Sequence, residues 1–464
     1  MEFLRKFWSL KDWFTVAGNT VEEGKSKLEI YAKELCKKVG QSISDKDKDF
    51  TGIPLQCRML AESFDEEVKT FYLSQDSVSD VTFKLDLLDV YEKFIDRKYN
   101  IYQEEKKKAQ MNNVIEIEQR GRDLKTMRKY HHLPALKVLF NEEQVESFEI
   151  DGDCTFSDEE LTRMGIAELK DEGKMSFIHR TFAEFFVADF FVTKLNKGKK
   201  ASVGAQNCLF KDIFLKADYR LVRAFIDGFL SRSWPSEEVL KQYGNRMRDV
   251  WEDTVRIMYH AAVEDNANII GFLLESLQKA EQKDTFVQLL ETQYKGRQTA
   301  WHVAAMGGNL KVLQKLWEWA KYNLLTEELH RKYLLARGSK GKTAWHVAAE
   351  EGKLEVLRQL WEWARAEKLN DKFLLARDVS ERTFLHVAAE SVNTKEFEKL
   401  WDWATENLTE KELEESLLAK DHADLTVFNV AANRPEKEVF QKLWKYATAK
   451  LSPEDIQILF TYRR

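Results

Sequence analysis

The feature that most constrains this chain is a seven-residue motif repeated at nearly constant spacing in its second half. "TAWHVAA" occurs at 299–305 and again at 343–349, "TFLHVAA" follows at 383–389, and "TVFNVAA" at 426–432. A shorter copy, "IMYHAA", ends at Ala262. The copies lie 40–44 residues apart, measured between their histidines or the final asparagine. Such a period indicates an array in which each repeat is one supersecondary unit that buries its apolar face against its neighbours.

Each repeat predicts two antiparallel helices. The first begins after a threonine, a residue type that caps the first turn of a helix. It ends near Gly308 or Gly352, because glycine tolerates the left-handed conformation that terminates helices. A second marker, "LWEWA" or a variant of it, lies on the apolar face of the second helix. The tryptophans expected on that buried face are Trp317, Trp361 and Trp401.

The residues after the second helix predict a third short helix. An example is "LLTEELHRKYLLA". Trp363 lies two residues beyond Trp361, or about 200° around the helix. We therefore expect that only the inserted segment can cover Trp363.

The repeated pattern "G-x-T-A-W-H-V-A-A-x-x-G" resembles the ankyrin repeat. Ala300 and Ala344 stand where ankyrin repeats usually have Pro, and Trp301 and Trp345 where they usually have Leu. The period is also longer than the ankyrin period of about 33 residues. The resemblance implies an α-solenoid of four to five elongated repeats over residues 255–464, which binds a protein partner on its concave face.

The repeat histidines permit two interpretations. They could form a ladder of metal ligands, but adjacent packed helices lie about 10 Å apart, which is too far for shared ligation. We predict instead that each histidine hydrogen-bonds to its capping threonine and to the neighbouring loop, with Asn429 in this role in the last repeat. We therefore expect no metal site. The residues assigned this structural role are Thr299, His302, Thr343, His346, Thr383 and His386.

One loop of the array matches a loose form of the Walker A motif. The match is "ARGSKGKT" at 336–343. The equivalent stretches "TQYKGRQ", "RDVSER" and "KDHADL" lack the Gly-Lys-Thr. A phosphate-binding loop also requires a preceding buried strand and a surrounding βαβ sheet. We therefore interpret this loop as a turn and expect no catalytic activity from the chain as given.

The first half carries a different resemblance. "TGIPLQCRMLAESF" spans 51–64, and "MSFIHRTFAEFFVADFFV" spans 175–192. Between them, "HHLPALKVLF" and "DEELTRMGIAELKDEGK" indicate short helices that lead into a wing-like unit. This order resembles the C-terminal half of a NACHT-type STAND NTPase. The implied domains are a first helical domain at 1–104, a winged helix at 105–175 and a second helical domain at 176–254.

The resemblance also implies two nucleotide-binding residues. Pro54 would pack on the adenine, and His179 would contact the β-phosphate of bound ADP. A plain structural role is open for both, since Pro54 can simply begin a helix and His179 can be a core residue. The family's Walker motifs lie in a parallel sheet upstream of the first helical domain, whereas only "MEFLRKFW" precedes that region here. ADP or ATP is therefore expected only with an upstream domain.

Composition narrows the class of protein. Lys and Arg total 72 against 78 Asp and Glu, a net charge of −6, so nothing indicates a nucleic-acid partner. The four cysteines show no CxxC spacing, and no apolar run reaches transmembrane length. We expect an all-α, cytoplasmic, non-catalytic scaffold or sensor of the NACHT–ankyrin type, and the family implies innate-immune or stress signalling. The alternative is a nucleotide-switched signalling ATPase whose P-loop domain lies upstream.

Overall fold

The structure is a computed structural model. It describes residues 86–107, 126–150, 158–169, 175–198, 201–281, 283–323 and 333–459, together with isolated positions between 28 and 68. The chain divides into two compact units, Met1–Pro235 and Ser236–Arg464. The described part is mostly helical with one short sheet, which confirms the expectation of a predominantly helical chain.

The first unit is built around the phenylalanine-rich helix α5. The helices among its described residues are α1 (Leu87–Lys107), α2 (His132–Leu139), α3 (Glu142–Ser147), α4 (Asp158–Arg163), α5 (Arg180–Lys197), α6 (Val203–Cys208), the π-helix Leu209–Ile213, the 3-10 helix Ala217–Tyr219 and α7 (Arg220–Arg232). Helix α5 packs against α2 and α7. Phe182, Phe185 and Phe186 on α5 are fully buried. Tyr91 of α1 adds a ring 5.4 Å from that of Phe182, so these helices share one aromatic core.

A small β-hairpin precedes α5. Strand β1 (Ala167–Leu169) pairs antiparallel with β2 (Met175–Phe177), and Leu169 lies opposite Met175. Phe177 is buried, and its ring lies 5.7 Å from that of Phe186. The hairpin therefore leads the chain into the aromatic core just before α5 begins.

The second unit consists of repeated helical segments. Its helices are α8 (Glu237–Asp249), α9 (Trp251–Glu264), α10 (Ala267–Lys279), α11 (Lys283–Glu291), α12 (Ala300–Gly307), α13 (Leu310–Asn323), α14 (Ala344–Glu350), α15 (Leu354–Ala366), α16 (Asn370–Leu374), α17 (Phe384–Ser391), α18 (Thr394–Asn407), α19 (Glu410–Leu418), α20 (Val427–Ala432), α21 (Glu438–Lys450) and α22 (Pro453–Leu459). The first helices of the repeats, α9, α12, α14, α17 and α20, each pack against the next. Gly308 and Gly352 have φ of 79° and 64°, which confirms the left-handed turns expected there.

This unit begins ahead of residue 255, where the repeats were expected to start. Residue 255 lies inside α9, and α8 packs closely against α10. A Cβ on Gly244 of α8 would lie 1.9 Å from the Ser276 carbonyl oxygen of α10, so only glycine permits this approach. Helix α8 therefore covers the second helix of the first repeat.

Tryptophans of the second helices join successive repeats. Trp363 stacks on Trp317 of the preceding repeat, with ring centroids 4.9 Å apart and planes 15° apart. Trp403 contacts Trp361 edge-on at 6.5 Å, and Tyr446 contacts Trp401 at 5.4 Å. The expectation that only the inserted segment could cover Trp363 is therefore wrong. At these three boundaries, the second aromatic residue of the motif packs on the first aromatic residue of the repeat before it.

The segment after the second helix also belongs to the core. It forms α16 and α19 in two repeats, as predicted. Tyr333 lies 5.2 Å from Trp301, and Phe373 lies 4.8 Å from Trp345, measured between ring centroids. Tyr333 and Phe373 are at most 1% exposed. Each repeat therefore buries three segments, and a two-helix description is incomplete.

We expect Trp317 and Trp363 to be energetically coupled across the repeat boundary. In a double-mutant cycle with Trp317→Ala and Trp363→Ala, the coupling energy should be about 0.5–1.5 kcal/mol. Either single substitution already removes the stacking contact, so the double variant should lose less stability than the sum of the two single variants. The measurement is the free energy of unfolding in denaturant. The control pair Trp363→Ala and Phe440→Ala should be additive, since no contact joins these residues. Additivity in both pairs would contradict a stabilising stack.

Candidate interaction surface

Four equivalent loops connect the repeats and share a closing backbone hydrogen bond and a left-handed fourth residue. In each, the N–H of the first residue donates to the carbonyl of the fifth, at 2.8–3.0 Å. The residue before last is left-handed in all four, with φ between 58° and 66°. The loops, called A to D below, are A (294–298), B (338–342), C (378–382) and D (421–425).

The repeat histidines fix loops C and D, and the residues just before loop B, to the first helices. His346 Nδ1 lies 2.8 Å from the Thr343 hydroxyl, and Nε2 lies 3.0 Å from the Arg382 carbonyl oxygen at the end of loop C. Because a carbonyl only accepts, Nε2 carries the proton and Nδ1 accepts from threonine. His386 makes the equivalent contacts with Thr383 and with Leu425 at the end of loop D. His302 contacts Thr299 in the same way, but its Nε2 donates to the Ala336 carbonyl, two residues before loop B.

These histidines are neutral in the fold. Burial lowers the pKa of His346 to about 4, and it also lowers the pKa of His302 and His386. Each ring uses one nitrogen as donor and the other as acceptor. Neither nitrogen is therefore available to a metal ion without loss of a hydrogen bond. Within the ranges that the structure describes, no group of three or more His, Cys, Asp or Glu side chains could hold a metal.

The first and last repeats depart from this arrangement. Asn429 accepts from the Thr426 backbone N–H at 2.9 Å, and the Thr426 hydroxyl lies 3.0 Å from the Leu459 carbonyl oxygen. Asparagine thus keeps the contact to threonine, while the threonine hydroxyl reaches the following segment. In the first repeat, Ile257 occupies the threonine position, and the His260 ring lies 6.2 Å from that of Tyr259.

The Walker-like stretch at 336–343 forms loop B between two repeats. Lys342 is buried and places Nζ 2.6 Å from Glu350 Oε2. A Cβ on Gly338 would lie 2.9 Å from His302 Cδ2, so this glycine permits close packing of the histidine. The lysine and the glycine both have structural partners in this loop.

Of the two expected nucleotide residues, the structure describes only His179. Pro54 lies outside the described residues. His179 is the N-cap of α5, half-buried, and its Nδ1 accepts from the Thr181 backbone N–H at 3.3 Å. His179 is therefore a helix cap in this structure and does not lie in the apolar core.

Hydrogen bonds join loops B, C and D into a continuous edge. The Val379 N–H of loop C donates to the Lys340 carbonyl of loop B at 3.0 Å. The His422 N–H of loop D donates to the Ser380 carbonyl of loop C, also at 3.0 Å. Val379 at the tip of loop C is 68% exposed, which is unusual for an apolar side chain in an ordered turn. We call this surface the loop edge, defined by loops A to D.

Sequence reasoning missed two features of the structure. The first is the loop edge, because the loops share hydrogen-bond positions and not residues. The second is a buried pair in the first unit, where the Tyr99 hydroxyl lies 3.0 Å from His131 Nδ1. Burial lowers the pKa of His131 to about 4. Nothing in the sequence around the doublet "HH" at 131–132 indicates that His131 is buried.

No family model matches the chain, and no curated protein matches it significantly. Among the described helices, none is long and apolar enough to cross a membrane.

We expect His346→Asn to reduce the acid sensitivity of the fold. In the unfolded chain, the pKa of His346 is near its ordinary value of 6.5, whereas in the fold it is about 4. Between these two pH values, the histidine is protonated in the unfolded chain and neutral in the fold. The free energy of unfolding therefore falls as pH is lowered through that window, and the histidine contributes no pH dependence above it. Asparagine does not titrate, so the variant lacks this pH dependence. At pH 7, the substitution should lower the free energy of unfolding by about 1 kcal/mol, because the hydrogen bond to the Arg382 carbonyl is lost.

The measurement is denaturant unfolding at several pH values between 4 and 7. His386→Asn tests the same effect in the next repeat and should also flatten the slope. An unchanged slope in both variants would show that these rings do not become charged on unfolding.

Proposed function

We propose that the chain is an intracellular, non-catalytic interaction scaffold or sensor of the NACHT–ankyrin type. A protein partner binds to the repeats of the second unit. In this proposal the repeats form an elongated ankyrin-like solenoid, and the loop edge with the adjoining ends of the first helices contacts the partner. The first unit corresponds to the helical and winged-helix part of a STAND protein, and the family implies a role in cytoplasmic signalling.

The observation that carries the proposal is that loop C is held by buried groups while its tip is exposed. The supporting groups are buried: His346 and His386 are fully buried, and so is the Asp378 carboxylate, which accepts from the Ser380 and Arg382 backbone N–H groups at 2.8 and 3.0 Å. The tip, Val379, is exposed. Loops held by a rigid scaffold can vary their tips without loss of conformation, and binding residues are found most often on such loops.

The order of elements in the first unit supports the family assignment. A two-stranded hairpin leads directly into α5, whose sequence "FIHRTFAEFF" carries the resemblance. Helix α5 is the centre of the first unit, in contact with α2 and α7. Fold resemblance does not itself establish function, so the signalling role needs its own experiment.

A second candidate function rests on His179. Its side chain lies at the N-terminus of α5, a helix of 18 residues, where backbone N–H groups and the helix dipole favour an anion. This position agrees with a contact to the phosphate of ADP in a nucleotide-switched ATPase. The phosphate cradle would come from an upstream domain.

We expect Val379→Asp to weaken capture of a protein partner by the full-length chain at least about tenfold, because the new charge must lose water on contact. Val203→Asp is a matched control, since Val203 in the first unit is also 68% exposed. The measurement is quantitative affinity capture from cell extract, with thermal unfolding of both variants to verify folding. Equal capture by both variants would show that loop C does not contact the partner.

Two substitutions at His179 separate its capping role from a nucleotide role. Asparagine is also a good N-cap, so His179→Ala should lower the free energy of unfolding by about 1 kcal/mol and His179→Asn should not. ADP retention is then measured in a form that carries the upstream domain. Faster ADP release in both variants would favour the nucleotide-switched alternative, and release that follows stability alone would leave His179 as a cap.

A further inference from the structure

Loops A and B expose positive charge that no described carboxylate neutralises. Lys295 and Arg297 belong to loop A, and Arg337 and Lys340 lie just before and within loop B. All four are exposed, and none forms an ion pair with a carboxylate in the described ranges. Gln293 Nε2 donates to the Arg337 carbonyl at 3.2 Å, so the two groups of cations are neighbours.

The Arg337 side chain extends over loop B. A Cβ built on Gly341 would lie 3.4 Å from Arg337 Nη1. The guanidinium therefore lies on the same loop as Lys340. The Walker-like stretch thus directs Arg337 and Lys340 to the exterior, while Lys342 pairs with Glu350 in the interior.

Loops C and D differ in charge. The Arg382 guanidinium pairs with Asp378 at 2.8 Å and with Glu390 at 2.5 Å. Arg377 lies 3.8 Å from Glu381, and loop D carries Asp421 and Asp424. Unpaired positive charge is therefore confined to one end of the loop edge. It is not a general property of the loops.

We propose that loops A and B dock a short acidic peptide segment of the partner protein. This inference rests on the proposed function, because it names the partner chemistry of the same surface. Carboxylates suit these positions since four neighbouring cations have no other counter-charge in the described part. A nucleic acid fits less well, because its charge continues at every residue and would meet Glu381 and Asp424 farther along the edge.

The test uses the full chain and a fluorescein-labelled octapeptide with four glutamates alternating with glycine. Binding is measured by fluorescence anisotropy at two salt concentrations. The triple variant Arg297→Gln, Arg337→Gln and Lys340→Gln should weaken binding about tenfold and reduce its salt dependence. The matched control removes three other exposed cations from the same unit and should bind within about twofold of the parent: Arg365→Gln, Lys368→Gln and Lys372→Gln.

Three results would overturn the inference. One is an equal loss in the triple variant and the control, which would indicate attraction to the chain's cations in general. Another is a loss in the control alone, which would place the site beside Arg365. The third is tighter binding of a single-stranded oligonucleotide of equal charge that the triple variant abolishes.

A comparison of Val379→Asp with the triple variant separates this inference from the proposed function. A captured partner that is lost with Val379→Asp but retained by the triple variant would leave the scaffold proposal intact and contradict acidic docking. A chain that captures no partner but binds the octapeptide through loops A and B contradicts the scaffold proposal and supports the acidic site.

Discussion

The second unit depends on one recurring interaction, the neutral histidine that links a first helix to the loop 34–39 residues later. Its Nδ1 accepts from the capping threonine, and its Nε2 donates to a carbonyl at the loop that leads into the next repeat. The same side chain thus fixes the start of one helix and the position of the next. Because the ring is buried, it is held neutral, and its geometry satisfies both nitrogens only in one orientation.

Aromatic contacts between the second helices also join successive repeats. The second tryptophan of one repeat lies on the first tryptophan of the repeat before it, as Trp363 does on Trp317. Segments after the second helices add Tyr333 and Phe373 to the same clusters. Stability in such an array is a sum of repeat terms and nearest-neighbour terms. The histidines and the tryptophans supply the nearest-neighbour terms at two separate positions of the repeat.

With the support buried, the loop tips can differ in chemistry. Loop B carries Lys340 at its tip, and loop C carries Val379. The backbone hydrogen bond between these two residues is unaffected by their side chains. A single framework therefore presents a surface that is basic at one end and paired or acidic at the other. The charge of the loop tips can therefore differ between repeats while buried contacts hold the fold.

The sequence alone determined the period, the helical class, the glycine turns and the pairing of each threonine with its histidine, because these follow from spacing within one repeat. Comparison among the copies also favoured a turn over a phosphate cradle at 336–343. Only the tertiary structure decided where Trp363 packs, since its partner lies 46 residues away in another repeat. The same holds for Arg337 and Lys342. Both are cations of the stretch 336–343, but Arg337 reaches solvent and Lys342 pairs with Glu350, because side-chain direction depends on backbone turns that residue type does not specify.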